Sequence, residues 1–138
     1  MMFFVFRAYE KVGLYHLAYK MLDNWREMID LHATTWFESS PLESRSDCHA
    51  WSSLPIYEFS ACILGVKVTL DGIIIKPYVD ANDFASGTVM TPIGKISVDW
   101  KKENGAFTLK VNAPEKVKII LPDNTEYFEK DIEVSCRI

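Results

Sequence analysis

The stretch GKISVDWKKENGAFTLKVN, residues 94–112, decides how the second half of this 138-residue chain folds. Ile96, Val98 and Trp100 alternate with Ser97, Asp99 and Lys101, while Phe107, Leu109 and Val111 alternate with Thr108 and Lys110. A period of two sends successive side chains to opposite faces of a strand, so each run has one apolar and one polar face. Asn104-Gly105 between the runs supplies two residues that tolerate positive φ, the signature of a tight hairpin.

Outward from this hairpin the same grammar continues. KVTL (67–70), IIIKP (73–77), GTVMT (87–91), KVKIILP (116–122) and EVSCRI (133–138) are short and β-rich. Turn signals separate them, among them Asp71-Gly72, Pro92-Ile93-Gly94 and Pro122-Asp123-Asn124. Residues 66–138 therefore read as an antiparallel β-sandwich with one buried face per sheet.

Residues 1–65 read as helical. Apolar positions crowd nearly all round Met2 to Val12, as in a helix buried on most sides, and Gly13 breaks it. From Leu14 to Ile29 the apolar residues recur at three- and four-residue steps, with Asp30 ending the helix. A third helix runs from Ala50 towards Leu64, with Ser46 or Asp47 as its N-cap, a kink or break at Pro55 and a stop at Gly65. Three such helices do not obviously close a domain of their own, and the chain reads as the tail of something larger.

Composition narrows the function classes. About half the residues are apolar and a quarter charged, which suits a protein with a real core. A net charge of -4 without a basic run counts against nucleic acid or an anionic membrane as partner. No run approaches a membrane span, and the opening MMFFVFRAYEK is too short in its apolar stretch for a secretion signal. Cys48, Cys62 and Cys136 have no metal-ligand spacing and read as free thiols, so neither metal nor cofactor is expected.

Chemistry concentrates in TTWFESSPLESRSDCHAW, residues 34–51. Glu38 and Glu43 are carboxylates, His49 is titratable, and Trp36 and Trp51 offer aromatic faces. Glycosidases use paired carboxyl groups, and aromatic rings commonly line sugar sites, so the mixture points to carbohydrate chemistry. The competing reading is a solvated loop between helices, with the tryptophans packed on their neighbours.

Several phrases in order sharpen this reading: VGLYHLAYKMLDNWREM, TTWFES, SDCHAWSSLPIYEFSACILGV and TPIGKISVDW. Together they resemble the C-terminal end of bacterial α-L-rhamnosidases, glycoside hydrolase family 78. The resemblance implies the last helices of an (α/α)6 catalytic barrel in residues 1–65, followed by the C-terminal β-sandwich. It implies that Glu38 is the general base of an inverting hydrolysis and that His49 binds rhamnose, with Trp36 and Trp51 as candidate walls. It also implies that the general acid and most of the pocket come from upstream barrel segments, so that this chain alone lacks activity. The expected partner is a rhamnose-containing glycan or glycoside, with homo-oligomerisation through exposed helix faces as a further expectation. A non-catalytic carbohydrate-binding or scaffold module is the alternative. Glu43 reads as a solvated charge, His32 as a helix-end residue and His16 as exposed. The family occurs in secreted, periplasmic and cytoplasmic forms, so the compartment stays open.

Overall fold

A computed structural model describes residues 2–39 and 43–138, and its chain divides into two compact units, Met1–Tyr57 and Glu58–Ile138. The fold is mixed α and β, with strand predominating.

In the first unit α1 (Met2–Lys11) is followed by α2 (Tyr15–Met21), a 3-10 turn (Leu22–Trp25) and α3 (Arg26–Asp30). Gly13, at φ +77°, makes the break expected of it. The helix expected from Leu14 to Ile29 is thus divided by a tightened turn at Leu22–Trp25. Phe6 is the buried residue of α1, while Phe4 is 63% exposed, so this helix is not buried on most sides. Phe6 packs edge-to-face on Trp25 at 6.3 Å between ring centroids, and the Trp25 indole N–H donates to the Ser52 carbonyl at 2.7 Å. That bond satisfies a buried donor and ties the helical pair to the segment that follows the loop.

The third helix is three short pieces: a 3-10 turn (Ala50–Ser52), α4 (Leu54–Glu58) and a π-helical turn (Phe59–Ile63). Pro55 sits in the first turn of α4, where a missing N–H costs nothing, and the break falls before it. Gly65 ends the helical run at φ +90°. A Cβ there would lie 2.4 Å from the backbone nitrogen of Pro77, so only glycine fits.

The second unit holds β1 (Val66–Thr69), β2 (Gly72–Ile75), β3 (Phe84–Thr91), β4 (Gly94–Glu103), β5 (Ala106–Ile120) and β6 (Glu126–Arg137). The β4–β5 hairpin pairs Glu103 with Ala106, leaving Asn104 (φ +52°) and Gly105 (φ +76°) as its two-residue turn, as expected. Two expectations are corrected. AFTLKVN and KVKIILP are not separate strands but one, β5, interrupted at Ala113–Lys116, which face the single residue Lys130 of β6. Pro114 has no N–H to give a ladder and falls where the pairing is interrupted.

The strands also form one hydrogen-bonded sheet rather than two, and the pairing is not wholly antiparallel. One edge of β5 is shared, with β4 on residues 106–112 and β2, in parallel, on Lys118 and Ile119. The other edge of β5 pairs with β6 along both halves. The irregularity at 113–116 thus separates two arms, one ending at β3 and the other at β1, in a nearly closed sheet. The π-helical turn packs against both β1 and β3, and Trp100 donates its indole N–H to the Ile63 carbonyl at 3.0 Å. Both arms contribute to the core: Ile96, Val98, Trp100, Phe107 and Leu109 from one, Ile75, Val117, Ile119 and Leu121 from the other.

Candidate functional site

The described residues of the stretch 34–51 lie in the first unit, and its two limbs, 35–38 and 46–49, pair through hydrogen bonds. The Glu38 N–H donates to the Ser46 carbonyl at 2.9 Å, and the His49 N–H donates to the Trp36 carbonyl at 2.6 Å. The Thr35 hydroxyl donates to the Asp47 carbonyl. These three bonds hold the TTWFE and DCHAW limbs side by side, although eleven positions separate Glu38 from His49 in the chain. The expectation that Ser46 or Asp47 caps the following helix is corrected: their carbonyls accept from the opposite limb, and His49, extended at φ -115°, occupies the N-cap position.

Glu38 is half-buried, its side chain 25% accessible, and Arg45 donates to its Oε1 at 2.6 Å. No local periodicity marks Arg45, because the limb pairing is what returns it to Glu38. Its side chain is 84% exposed, so it orients the carboxylate more than it stabilises the fold. The arrangement holds one carboxylate oxygen and leaves Oε2 available to a further donor. His49 and Trp36 are half-buried. Among the described residues the ring of His49 makes no hydrogen bond to Glu38; the limbs are brought together by their backbones.

Trp51 is 66% exposed and so is not a core residue. With Phe3, Ala50, Ser53, Leu54 and Tyr57 it lines a mostly apolar groove of about 360 Å³. The Arg7 guanidinium lies 4.7 Å from the Tyr57 ring centroid and 5.6 Å from that of Phe3, a cation–π arrangement beside this groove. Trp25 and Trp100, in contrast, are buried, as their spacing implied.

Glu43 and His16 are exposed, and His32, also exposed, sits at φ +53° just after α3. Ser40, Pro41 and Leu42 lie outside the described residues. The three cysteines are free, with Cys48 exposed, Cys62 buried and Cys136 between. Burial raises the thiol pKa of Cys136 above its ordinary value. Among the described residues no cluster of His, Cys, Asp and Glu is disposed to hold a metal, and no helix is long and apolar enough to cross a membrane. Glu58, which the periodicity did not mark, is a fully buried carboxylate at the end of α4.

Residues 71–134 match the family described as bacterial alpha-L-rhamnosidase C-terminal domain. An alpha-L-rhamnosidase from Alteromonas sp. (strain LOR) is 31% identical over 124 residues, which covers 76% of this chain and 14% of that protein. The solved structure of alpha-L-rhamnosidase from Dictyoglumus thermophilum superposes with a TM-score of 0.69 at 20% identity, covering 97% of this chain and 19% of that one. At that identity the superposition speaks for the fold. The chain thus spans less than a fifth of either relative. From the matched domain, the sequence relative and the shared fold together, this chain belongs with the C-terminal part of the bacterial α-L-rhamnosidases.

Proposed function

We propose that this chain supplies the general base and one sugar-binding side of an inverting α-L-rhamnosidase site, the general acid coming from another part of the complete enzyme. The observation that carries the reading is the backbone pairing of the Glu38 limb with the His49 limb, which makes one compact surface from the two resemblance phrases.

In this reading Glu38 Oε2 accepts a proton from the water that attacks the anomeric carbon, while Arg45 holds Oε1. Inversion requires room for that water between two carboxyl groups roughly 6.5–9.5 Å apart. Exposed Glu43 does not serve as the second of them, because a general acid must reach the glycosidic oxygen on the opposite side of the sugar ring. His49 binds a rhamnose hydroxyl through a ring nitrogen, as donor or acceptor according to tautomer. Trp36 and Trp51 offer apolar faces to the sugar or its aglycone. Helices α1–α4 are read as the last helices of an (α/α)6 barrel over residues 1–65, and residues 66–138 as its C-terminal β-domain.

The test is hydrolysis of an aryl α-L-rhamnoside. The complete enzyme turns over and releases the inverted anomer first, seen by NMR, whereas Glu38→Gln folds normally and does not turn over. Near-normal turnover by Glu38→Gln rejects the assignment of the base.

A further inference from the structure

A second pocket, open to solvent, lies wholly within the β unit at one end of the sheet, with a volume of about 420 Å³; Asp80, Gly105, Asp123, Arg137 and Ile138 of its lining are exposed. That size falls within the range of small-molecule sites, roughly 300–1,000 Å³. Its charged lining comes from four separate places: Asp80 after β2, Lys102 near the end of β4, Asp123 in the β5–β6 turn and Arg137 at the end of β6. We infer that this pocket is a non-catalytic binding site for a neutral sugar ring.

The walls are fixed by hydrogen bonds from backbone N–H groups. The Thr125 N–H donates to Asp123 Oδ1 at 2.9 Å, the Ile138 N–H to the Gly105 carbonyl at 3.1 Å, and the Lys102 N–H to the Asp83 carbonyl at 2.6 Å. The four charged side chains of the lining, two carboxylates and two cations, sum to zero, so among them a simple anion or cation meets as much repulsion as attraction. A neutral polyhydroxyl ligand uses both kinds of group, donating hydroxyls to Asp80 and Asp123 and accepting from Lys102 and Arg137. Val79 and Pro122 supply apolar surface for the C–H face or methyl group of a deoxy sugar. Among the described residues no ion pair occupies Asp80 or Arg137, and Lys102 has only a long contact, 3.9 Å, with exposed Asp83. The groups are therefore available without breaking a strong internal pair.

Choosing a rhamnoside as ligand rests on the proposed function above; the pocket itself does not. The test is a titration of the whole chain with methyl α-L-rhamnoside, followed by amide chemical shifts. Saturable shifts at Asp80, Lys102, Gly105, Asp123 and Arg137 are expected, with a Kd on the order of millimolar. Asp80→Asn with Arg137→Gln should weaken binding at least about tenfold while the rest of the spectrum is unchanged. In Glu38→Gln the shifts at these rim residues should saturate with a Kd within about twofold of that in the native chain, whatever happens at the loop. Absence of shifts at the rim overturns the inference, as does loss of those shifts in Glu38→Gln or their production by inorganic phosphate but not by the rhamnoside. Turnover of the complete enzyme is measured separately, so failure here leaves the Glu38 assignment to its own test.

Discussion

The two units of this chain satisfy their apolar side chains very differently. In residues 58–138 the alternating residues of β4 and β5 are almost wholly buried, with Ile96, Trp100, Phe107, Leu109 and Ile119 at 0% exposure. In residues 2–57 Phe6, Tyr15, Ala18, Trp25, Met28 and Leu54 are buried, yet Phe4, Val12, Leu14, Leu17, Ile29 and Leu31 stand exposed. Both units leave apolar side chains exposed, Phe84, Met90 and Phe128 among those of the β unit, and they differ in that the β unit also encloses a large set of fully buried residues, whereas in the helical unit Phe6 and Ala18 reach 0% exposure. The candidate catalytic carboxylate lies on the second kind of scaffold. In the proposed reading the chemistry falls to a hydrogen-bonded loop on a thinly buried helical support, next in sequence to a well-packed β unit.

The largest effect expected from this contrast is in the β core. Trp100→Ala removes a fully buried indole and its bond to the Ile63 carbonyl, and should cost about 3–5 kcal/mol in urea unfolding of the β unit. A loss below about 1 kcal/mol would break the comparison. Hydrogen exchange should then separate the units directly: amides of β4 and β5 exchange slowest, while those of α2 and α3 open at much lower free energy. Equal protection in both units would show that the exposed apolar residues do not weaken the helical one.

At the hairpin, Gly105→Ala forces a Cβ into φ +76° with no other obstruction, so a loss of about 1 kcal/mol is expected from thermal melting. Smallest is the pH effect of Cys136. Its folded-state pKa is raised by burial, so the unfolded chain ionises this thiol first. The resulting stability is present below the unfolded pKa, ~8.5, and is lost as pH rises through the folded value. Melts between about pH 8 and 10 should fall more steeply for the native chain than for Cys136→Ser; parallel curves would remove this residue from the account.

These differences also explain what was legible in the sequence. Alternation in Ile96–Trp100 and Phe107–Val111, with Asn104-Gly105 between, carries its own structural code, and the observed hairpin follows it. The single strand β5 was not legible, because Pro114 cannot donate to a ladder and only pairing with β6 shows that the strand continues beyond it. Nor was the single sheet, since the parallel contact of β2 with Lys118 and Ile119 joins residues far apart in the chain. In the loop, Glu38 and His49 could be named from the phrases around them. The pairing of their limbs, and the return of Arg45 to Glu38, depend on hydrogen bonds that leave no periodic trace.

The central claim is that one of the two loop carboxylates does the chemistry and the other is solvated. Its most direct test compares Glu38→Gln with Glu43→Gln in the complete enzyme, measuring kcat on an aryl α-L-rhamnoside with folding checked by circular dichroism. Loss of a positioned general base predicts a fall of about 10²–10⁴-fold for Glu38→Gln, against a change within about twofold for Glu43→Gln. Equal losses, or a larger one at Glu43, would contradict the assignment.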